Sequence, residues 1–265
     1  MKIGFIGLGN MAKAIMGGII EKGGIDPKDI YGSDVSDAAV EYAQNTLGIN
    51  AFTNDNGKVA ESVDILFLAV KPQYIAGAAE TFKNVLRKDT LVISIIAGKS
   101  LEFLENMLGA DKRIVRCMPN TPALVGEGCT AFTPNANVTD EEKDTAKKLL
   151  ETFGKAVPVA ENMMDAVVGL SGSGPAYVFM FIEALADGAV AAGMPRPMAY
   201  EFAIQLVKGS ACLALETGKH PGELKDMVCS PAGTTIEAVR VLEEGGFRAN
   251  VMDAVIAAAE KNSRL

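Results

Sequence analysis

A single histidine, His220, and four cysteines without a Cys-x-x-Cys pair leave this 265-residue chain poor in metal-ligating material. Cys117, Cys129, Cys212 and Cys229 are therefore expected to be reduced, mostly buried thiols, and no metal site is expected. Basic residues are also scarce. Lys and Arg number 25 against 33 Asp and Glu, a formal net charge of −8, and broad nucleic-acid binding needs clustered Lys and Arg. No secretory signal core is expected, because the run Ile3-Gly4-Phe5-Ile6-Gly7 is too short and too glycine-rich. The most apolar stretch, Pro175 to Met194, carries Glu183 and Asp187, which argues for a buried helix of a soluble protein over a membrane span. A cytoplasmic location is the default expectation. Repeats and low-complexity segments are missing too. What remains, at 49% hydrophobic and 22% charged residues, is a globular chain long enough for one large domain or two smaller ones.

The first part alternates short β-type runs with helical patterns. Ile3–Ile6, Ile30–Tyr31, Ile65–Val70, Leu91–Ile96 and Ile114–Cys117 are apolar, rich in β-branched residues and predict buried strands. Between them, helices are expected over Asn10–Lys22, Ser36–Leu47, Gln73–Leu86 and Ser100–Leu108, with Ser36 and Ser100 as N-caps. Such alternation implies a parallel sheet with helices on both faces. Thr139–Phe153 reads as a helix with acids in its first turn and lysines later, which suits the helix dipole. Lys155–Val159 predicts one more strand, after which strand signals stop. Helices are expected over Pro175–Ala192, from Pro195 and Pro197 to Thr217, and over Pro221–Val228, Thr234–Glu244 and Val251–Lys261. The domain boundary is expected near residue 160, giving domains 1–160 and 161–265. The helix from Pro175 is apolar nearly all round, through Val178, Phe179, Met180, Phe181, Ile182, Leu185 and Val190. It needs cover on more than one side, and a second subunit is expected to supply part of it; an entirely intramolecular core is the alternative.

Gly7-Leu8-Gly9-Asn10-Met11-Ala12 has the G-x-G-x-x-A form between a strand and a helix, the context in which such a motif binds a dinucleotide. Gly7 allows the tight turn, Gly9 lets backbone approach a pyrophosphate, and the helix start offers unpaired N–H groups. The second strand leads to Ser33 and Asp34, about 20 residues beyond the glycines, where an acid commonly binds the ribose 2′-hydroxyl of NAD. Asp34 would repel a 2′-phosphate, whereas Ser33 and Ser36 could bond one, so the residues leave NADH and NADPH both open. Ala69-Val70-Lys71-Pro72 ends another strand where loops face the ligand crevice.

These motifs, with Met118-Pro119-Asn120-Thr121-Pro122, Ser171-Gly172-Ser173-Gly174-Pro175-Ala176-Tyr177, His220-Pro221-Gly222 and Ser230-Pro231-Ala232-Gly233-Thr234-Thr235, resemble pyrroline-5-carboxylate reductase in order and from end to end. The resemblance implies an α/β fold: an N-terminal Rossmann-type doubly wound sheet followed by an all-α dimerisation domain. It implies reduction of the cyclic imine 1-pyrroline-5-carboxylate to proline, with NADPH or NADH as donor, and dimers that often assemble into rings of five. By the same resemblance Ile6 to Met11, Asn56, Ala69 to Pro72, Ala97 and Gly98 touch the cofactor, and Gly233, Thr234 and Thr235 hold the substrate. Ala232 departs from the family, which commonly has a second glycine there, and a methyl group at that point is expected to alter the turn.

The chemistry asks little of acid–base groups, since a protonated iminium can be taken from solution. Ser230–Thr235 reads as a loop entering a helix, whose free N–H groups suit a carboxylate. The resemblance gives the Thr235 hydroxyl the ring nitrogen, making Thr235 the one catalytic candidate; an ordinary helix-start threonine is the plain alternative. Asn120, Ser171 and Ser173 are expected near the substrate. His220 is expected to serve at the surface or as a cap, and Ser173 lacks the His–Asp partners of a nucleophile. Two other readings stay open at this point. A two-domain β-hydroxy acid dehydrogenase would want a catalytic lysine in the helical domain, and a non-catalytic NAD(P)-binding protein would bind without turnover.

Overall fold

The structure, a computed structural model, describes residues 1–264. Its strands are β1 (Ile3–Ile6), β2 (Ile30–Asp34), β3 (Asn50–Thr53), β4 (Ile65–Leu68), β5 (Leu91–Ser94), β6 (Arg113–Met118), β7 (Gly128–Pro134) and β8 (Gly154–Pro158). The helices α1 (Asn10–Glu21), α2 (Asp37–Leu47), α3 (Asn56–Ser62), α4 (Ile75–Glu80), α5 (Leu101–Leu108), α6 (Asp140–Glu151) and α7 (Met164–Val167) belong with them. A wholly helical series follows: α8 (Gly174–Ala191), α9 (Arg196–Thr217), α10 (Pro221–Val228), α11 (Thr234–Glu244) and α12 (Phe247–Asn262). The chain divides into two compact units, Met1–Gly172 together with the segment from Ala258 on, and Ser173–Ala257. The two compact units thus divide after Gly172.

In the first unit the strands lie in the order β3-β2-β1-β4-β5-β6-β7-β8. The first six are parallel, β7 runs antiparallel to β6, and β8 is parallel to β7. The first six positions reproduce the doubly wound dinucleotide-binding order, with the reversal of winding between β1 and β4. β1, β4 and β5 are buried at every residue because helices cover both faces, which is why they read as continuous apolar runs. One face packs Phe5, Phe67, Ile93 and Val115 against Ile15, Met16 and Ile19 of α1 and Leu149 and Leu150 of α6. The other packs Leu66, Leu68 and Ile114 against Val59 of α3, Ile75 of α4 and Leu104 of α5. Phe5 and Phe67 sit in register on neighbouring strands with stacked rings, centroids 4.7 Å apart.

Ser36 and Ser100 cap α2 and α5 as expected, and Thr139 with Glu142 forms a full capping box on α6. Two strands, β3 and β7, and the short helices α3 and α7 escaped the apolar pattern. β3 is an edge strand with one fully buried residue, Ala51, and β7 is a Thr-containing run bounded by Gly128 and Pro134. The helix expected over Gln73–Leu86 is regular only across α4. Beyond Glu80 i→i+3 bonds, from Thr81 N to Ala78 O and Phe82 N to Ala79 O, mix with i→i+4 bonds such as Lys83 N to Ala79 O, and the Thr81 hydroxyl also bonds Ala78 O.

The segment from Glu161 to Gly172 is held to the sheet. Glu161 Oε1 accepts from Leu101 N, at the start of α5, at 2.7 Å and from Arg116 Nη1 at 2.8 Å. Asp165 accepts from Asn262 Nδ2 at 2.6 Å, and Val168–Gly172 forms one π-helical turn.

The second unit is built on the α8–α9 pair, packed through Ala186, Ala199 and Ala203. Its other apolar side chains are largely bare: Phe179 is 60% exposed, Met180 68%, Phe202 63% and Leu215 78%. The stretch Glu161–Ala191 is long and apolar enough to cross a membrane by length and composition alone. So many exposed large apolar side chains on two neighbouring helices suit an interaction face. Phe67→Ala in the first unit is expected to cost about 3–5 kcal/mol of stability, read as a lower denaturant midpoint at unchanged slope. A loss below about 1 kcal/mol would show that the stacked pair is not a core contact.

Candidate active site

The first unit carries a cradle at the carboxyl ends of β1, β2, β4 and β5. Gly7 leaves β1 with φ +97°, and a Cβ there would lie 2.7 Å from Ala69 O, so the β1 and β4 ends close together only because position 7 has no side chain. Gly9 is the N-cap of α1, with no side-chain cap, and a Cβ at Gly9 would meet nothing within 4 Å. The first intrahelical bond runs from Lys13 N to Gly9 O, so the N–H groups of Asn10, Met11 and Ala12 have no partner within the helix. Open space over Gly9 and unpartnered N–H groups facing it are what a pyrophosphate requires. Ile6 and Leu8 are buried and contribute backbone alone. Ala69, Val70, Lys71 and Pro72 follow β4, and Ala97 and Gly98 follow β5, all at the same end of the sheet and none fully buried.

Three expected contacts have other engagements. Ser33 is wholly buried and its Oγ accepts from Asp55 N at 3.0 Å, so it supports the cradle from behind instead of lining it. Asn56, at the start of α3, donates from Nδ2 to Thr81 Oγ1 at 2.9 Å, tying α3 to the end of α4 and leaving its carbonyl and one N–H. Asp34 Oδ2 accepts from Leu8 N at 2.7 Å and Oδ1 from Ser36 N at 2.9 Å, a link between loops far apart in sequence that no local pattern announces.

Asn120 and Ser171 do come together, chiefly with each other. Asn120 Nδ2 donates to Ser171 Oγ at 3.1 Å, Asn120 Oδ1 accepts from Cys129 N at 2.8 Å, and Ser171 Oγ donates to Cys129 O at 3.4 Å. This closed triangle joins the end of β6, the start of β7 and the π-helical turn. Cys117 is sealed inside the sheet, where burial pushes its thiol up, away from a reactive thiolate.

In the second unit Ser173 is the N-cap of α8 without a side-chain cap bond. Gly233 is likewise the N-cap of α11 without a side-chain cap, so the N–H groups of Thr234, Thr235 and Ile236 open the helix unpartnered. The turn before it is closed by Gly233 N donating to Ser230 O at 3.1 Å. Thr235 is half-buried, and among the described residues no hydrogen bond engages its hydroxyl. His220 caps α10, its Nδ1 accepting from Gly222 N at 3.1 Å, which requires that nitrogen unprotonated and gives the residue a structural task.

Ala232 adopts φ +56°, the left-handed region that costs a residue with a Cβ about 1 kcal/mol. Ala232→Gly is therefore expected to hold or raise the thermal midpoint, because relief of that strain offsets the added freedom of the unfolded chain. A loss of more than about 1 kcal/mol would mean that the Ala232 methyl makes packing contacts outweighing its strain.

Residues 161–265 match the family described as pyrroline-5-carboxylate reductase dimerisation, and residues 2–98 match NADP oxidoreductase, coenzyme F420-dependent. The pyrroline-5-carboxylate reductase of Escherichia coli (strain K12) is 53% identical over 264 residues, covering 100% of this chain and 98% of that protein. That of Methanosarcina acetivorans is 49% identical, covering 100% and 97%. The solved pyrroline carboxylate reductase of Plasmodium falciparum, with NADP bound, superimposes with a TM-score of 0.91 at 34% identity, covering 100% of this chain and 97% of that one.

Proposed function

Because the chain belongs to the pyrroline-5-carboxylate reductase family, we propose that its first unit holds the nicotinamide dinucleotide and its second the imine's carboxylate. The activity is NAD(P)H-dependent hydride transfer to the C=N bond of 1-pyrroline-5-carboxylate, giving L-proline, the last step of proline biosynthesis. NADPH is the donor we assign, supported by the NADP bound to the Plasmodium relative. When bound, it supplies the hydride. The residues that would hold it are the Gly7–Met11 turn, Asp34, Asn56, Ala69–Pro72, Ala97 and Gly98, and the bare N–H groups above Gly9 fit its pyrophosphate.

The observation that carries the reading is the second helix start. An uncapped eleven-residue helix opening at Thr234 presents N–H groups to the substrate carboxylate, and the unengaged Thr235 hydroxyl lies within that first turn for the ring nitrogen. Gly233 and Thr234 bind through backbone. No residue is asked to protonate the imine, since the iminium is taken up from solution, and rate comes from positioning the reacting carbon. Asn120 and Ser171, spent on each other and on Cys129, fix the chain where it leaves the first unit. Ser173, next in the chain, is the remaining candidate for a direct substrate contact.

We take the protein to be an oligomer, a reading supported by the match to the dimerisation family and by the exposed apolar side chains of α8 and α9. The finer assignment is a homodimer, with a ring of five dimers as the assembly the family resemblance implies. A second copy, not lipid, then covers the apolar stretch, and Glu183 and Asp187 within it fit that cover better than hydrocarbon. A cytoplasmic home follows.

Thr235→Ala is expected to lower kcat on pyrroline-5-carboxylate about tenfold or more, roughly 1.4 kcal/mol, with cofactor affinity unchanged. Parental activity in that variant would remove Thr235 from the mechanism, and parental turnover of β-hydroxy acids in place of the imine would overturn the substrate. Light scattering at micromolar concentration is expected to give the dimer mass or a multiple of it; a monomer of 27.8 kDa would contradict the interface.

A further inference from the structure

Glu161 receives two bonds on a single oxygen. Its Oε1 accepts from Leu101 N at 2.7 Å and from Arg116 Nη1 at 2.8 Å. Leu101 opens α5, and its amide is one that the Ser100 cap does not reach, since Ser100 Oγ accepts from Phe103 N at 3.1 Å. The positive end of the helix also favours a carboxylate there. Arg116 comes from β6 and is 9% exposed, so little water competes for its charge, and the bond to Glu161 is charge-assisted.

What this joint holds is the β5–α5 loop. Ala97 and Gly98 lie between two close anchors. Ile96 N donates to Ser94 Oγ at 3.4 Å on one side, and Leu101 N rests on Glu161 on the other. Gly98 turns the loop with φ +71°. Any shift at the head of α5 therefore passes to Gly98 just upstream. The winding of the sheet reverses between β1 and β4, so a dinucleotide centred on the Gly7–Met11 turn lays one nucleoside toward β2 and the other over β4 and β5. Asp34 at the end of β2 belongs with the adenosine half, which leaves the nicotinamide half to Ala69–Pro72, Ala97 and Gly98.

Resting on the reading that the first unit holds the dinucleotide, we propose that Glu161 is a positioning residue for hydride transfer: braced by Arg116 on β6, it fixes the head of α5 and, through it, sets the Ala97–Gly98 loop against the nicotinamide. It acts through that loop and not by contact with the reacting atoms. In a reaction that asks no residue for a proton, rate depends on how closely donor and acceptor carbons are held. The bonds of Glu161 go to α5 and β6, neither of which carries the glycine turn, so the adenosine half keeps its seat when they are lost.

The test is made on the full-length oligomer. It pairs the single-turnover rate of NADPH oxidation by saturating pyrroline-5-carboxylate with equilibrium binding of 2′,5′-ADP, which carries the adenosine half alone. Glu161→Ala is expected to slow hydride transfer about tenfold or more and to leave the Kd of 2′,5′-ADP within about twofold of the parent. Glu161→Gln, whose one amide oxygen can accept both bonds, is expected to recover the rate to within about threefold of the parent. Arg113→Met breaks another ion pair, Arg113 Nη1 to Glu142 Oε1 at 2.5 Å, at the start of β6, and is expected to keep the parental rate. A parental rate in Glu161→Ala, a Gln variant as slow as the Ala variant, an equal loss in Arg113→Met, or an equal weakening of 2′,5′-ADP would each overturn the proposal. Should Glu161→Ala fail to fold because Arg116 is left unpaired, the double variant Glu161→Leu/Arg116→Met removes both charges together and is expected to show the same slow transfer; a parental rate there overturns the proposal equally. A parent that bound neither NADPH nor 2′,5′-ADP, or left the imine unreduced, would overturn the functional reading itself, a result distinct from an unmoved rate.

Discussion

Helix starts without side-chain caps are the constraint from which the rest of this protein can be read. Three N–H groups at the head of α1 and three at the head of α11 have no partner inside their helices, and neither Gly9 nor Gly233 can supply one. Left to water, such ends cost little, but aimed at an anion they form a binding site with no charged side chain in it. That economy suits a chain with a formal charge of −8 whose ligands, a dinucleotide and an imino acid, are themselves anionic. It also explains why one histidine suffices and why that histidine spends its nitrogen capping α10.

Holding those ends in place takes more residues than lining them. Gly7 lets β1 and β4 close at the reversal of the sheet, Ser33 and Asp34 fasten the loops around the turn, and Glu161 binds Arg116 and the start of α5. The Asn120–Ser171–Cys129 triangle then fixes the chain where the first unit ends. Side chains that hold such turns matter as much as those that line them, since precision of a few tenths of an ångström affects rate.

The parts legible in the sequence were those with local causes. β1, β4 and β5 announced themselves as apolar runs because both faces are covered, and Ser36, Ser100 and Thr139 marked helix starts because capping spans three residues. The G-x-G-x-x-A turn was legible for the same reason. What could not be read depends on distant partners. β3 lies at the sheet edge with little to bury, β7 is a strand because β6 and β8 flank it, and the helix after Gln73 shortens where Thr81 bonds back to Ala78. The commitment of Ser33 to Asp55 and of Asp34 to Leu8 spans more than twenty residues in each case, beyond any periodicity. Ala232 lay between these cases: its departure from glycine was visible, its left-handed backbone was not.

The central claim is that two bare helix starts receive the two anions separately. Hydrogen exchange of the backbone amides reads it directly, on the oligomer with NADPH and with a saturated five-membered cyclic carboxylate that cannot accept hydride. The account predicts that NADPH slows exchange at Asn10, Met11 and Ala12, and that the carboxylate slows it at Thr234, Thr235 and Ile236. Protection appearing elsewhere, with both helix starts exchanging as fast as in the free protein, would contradict it.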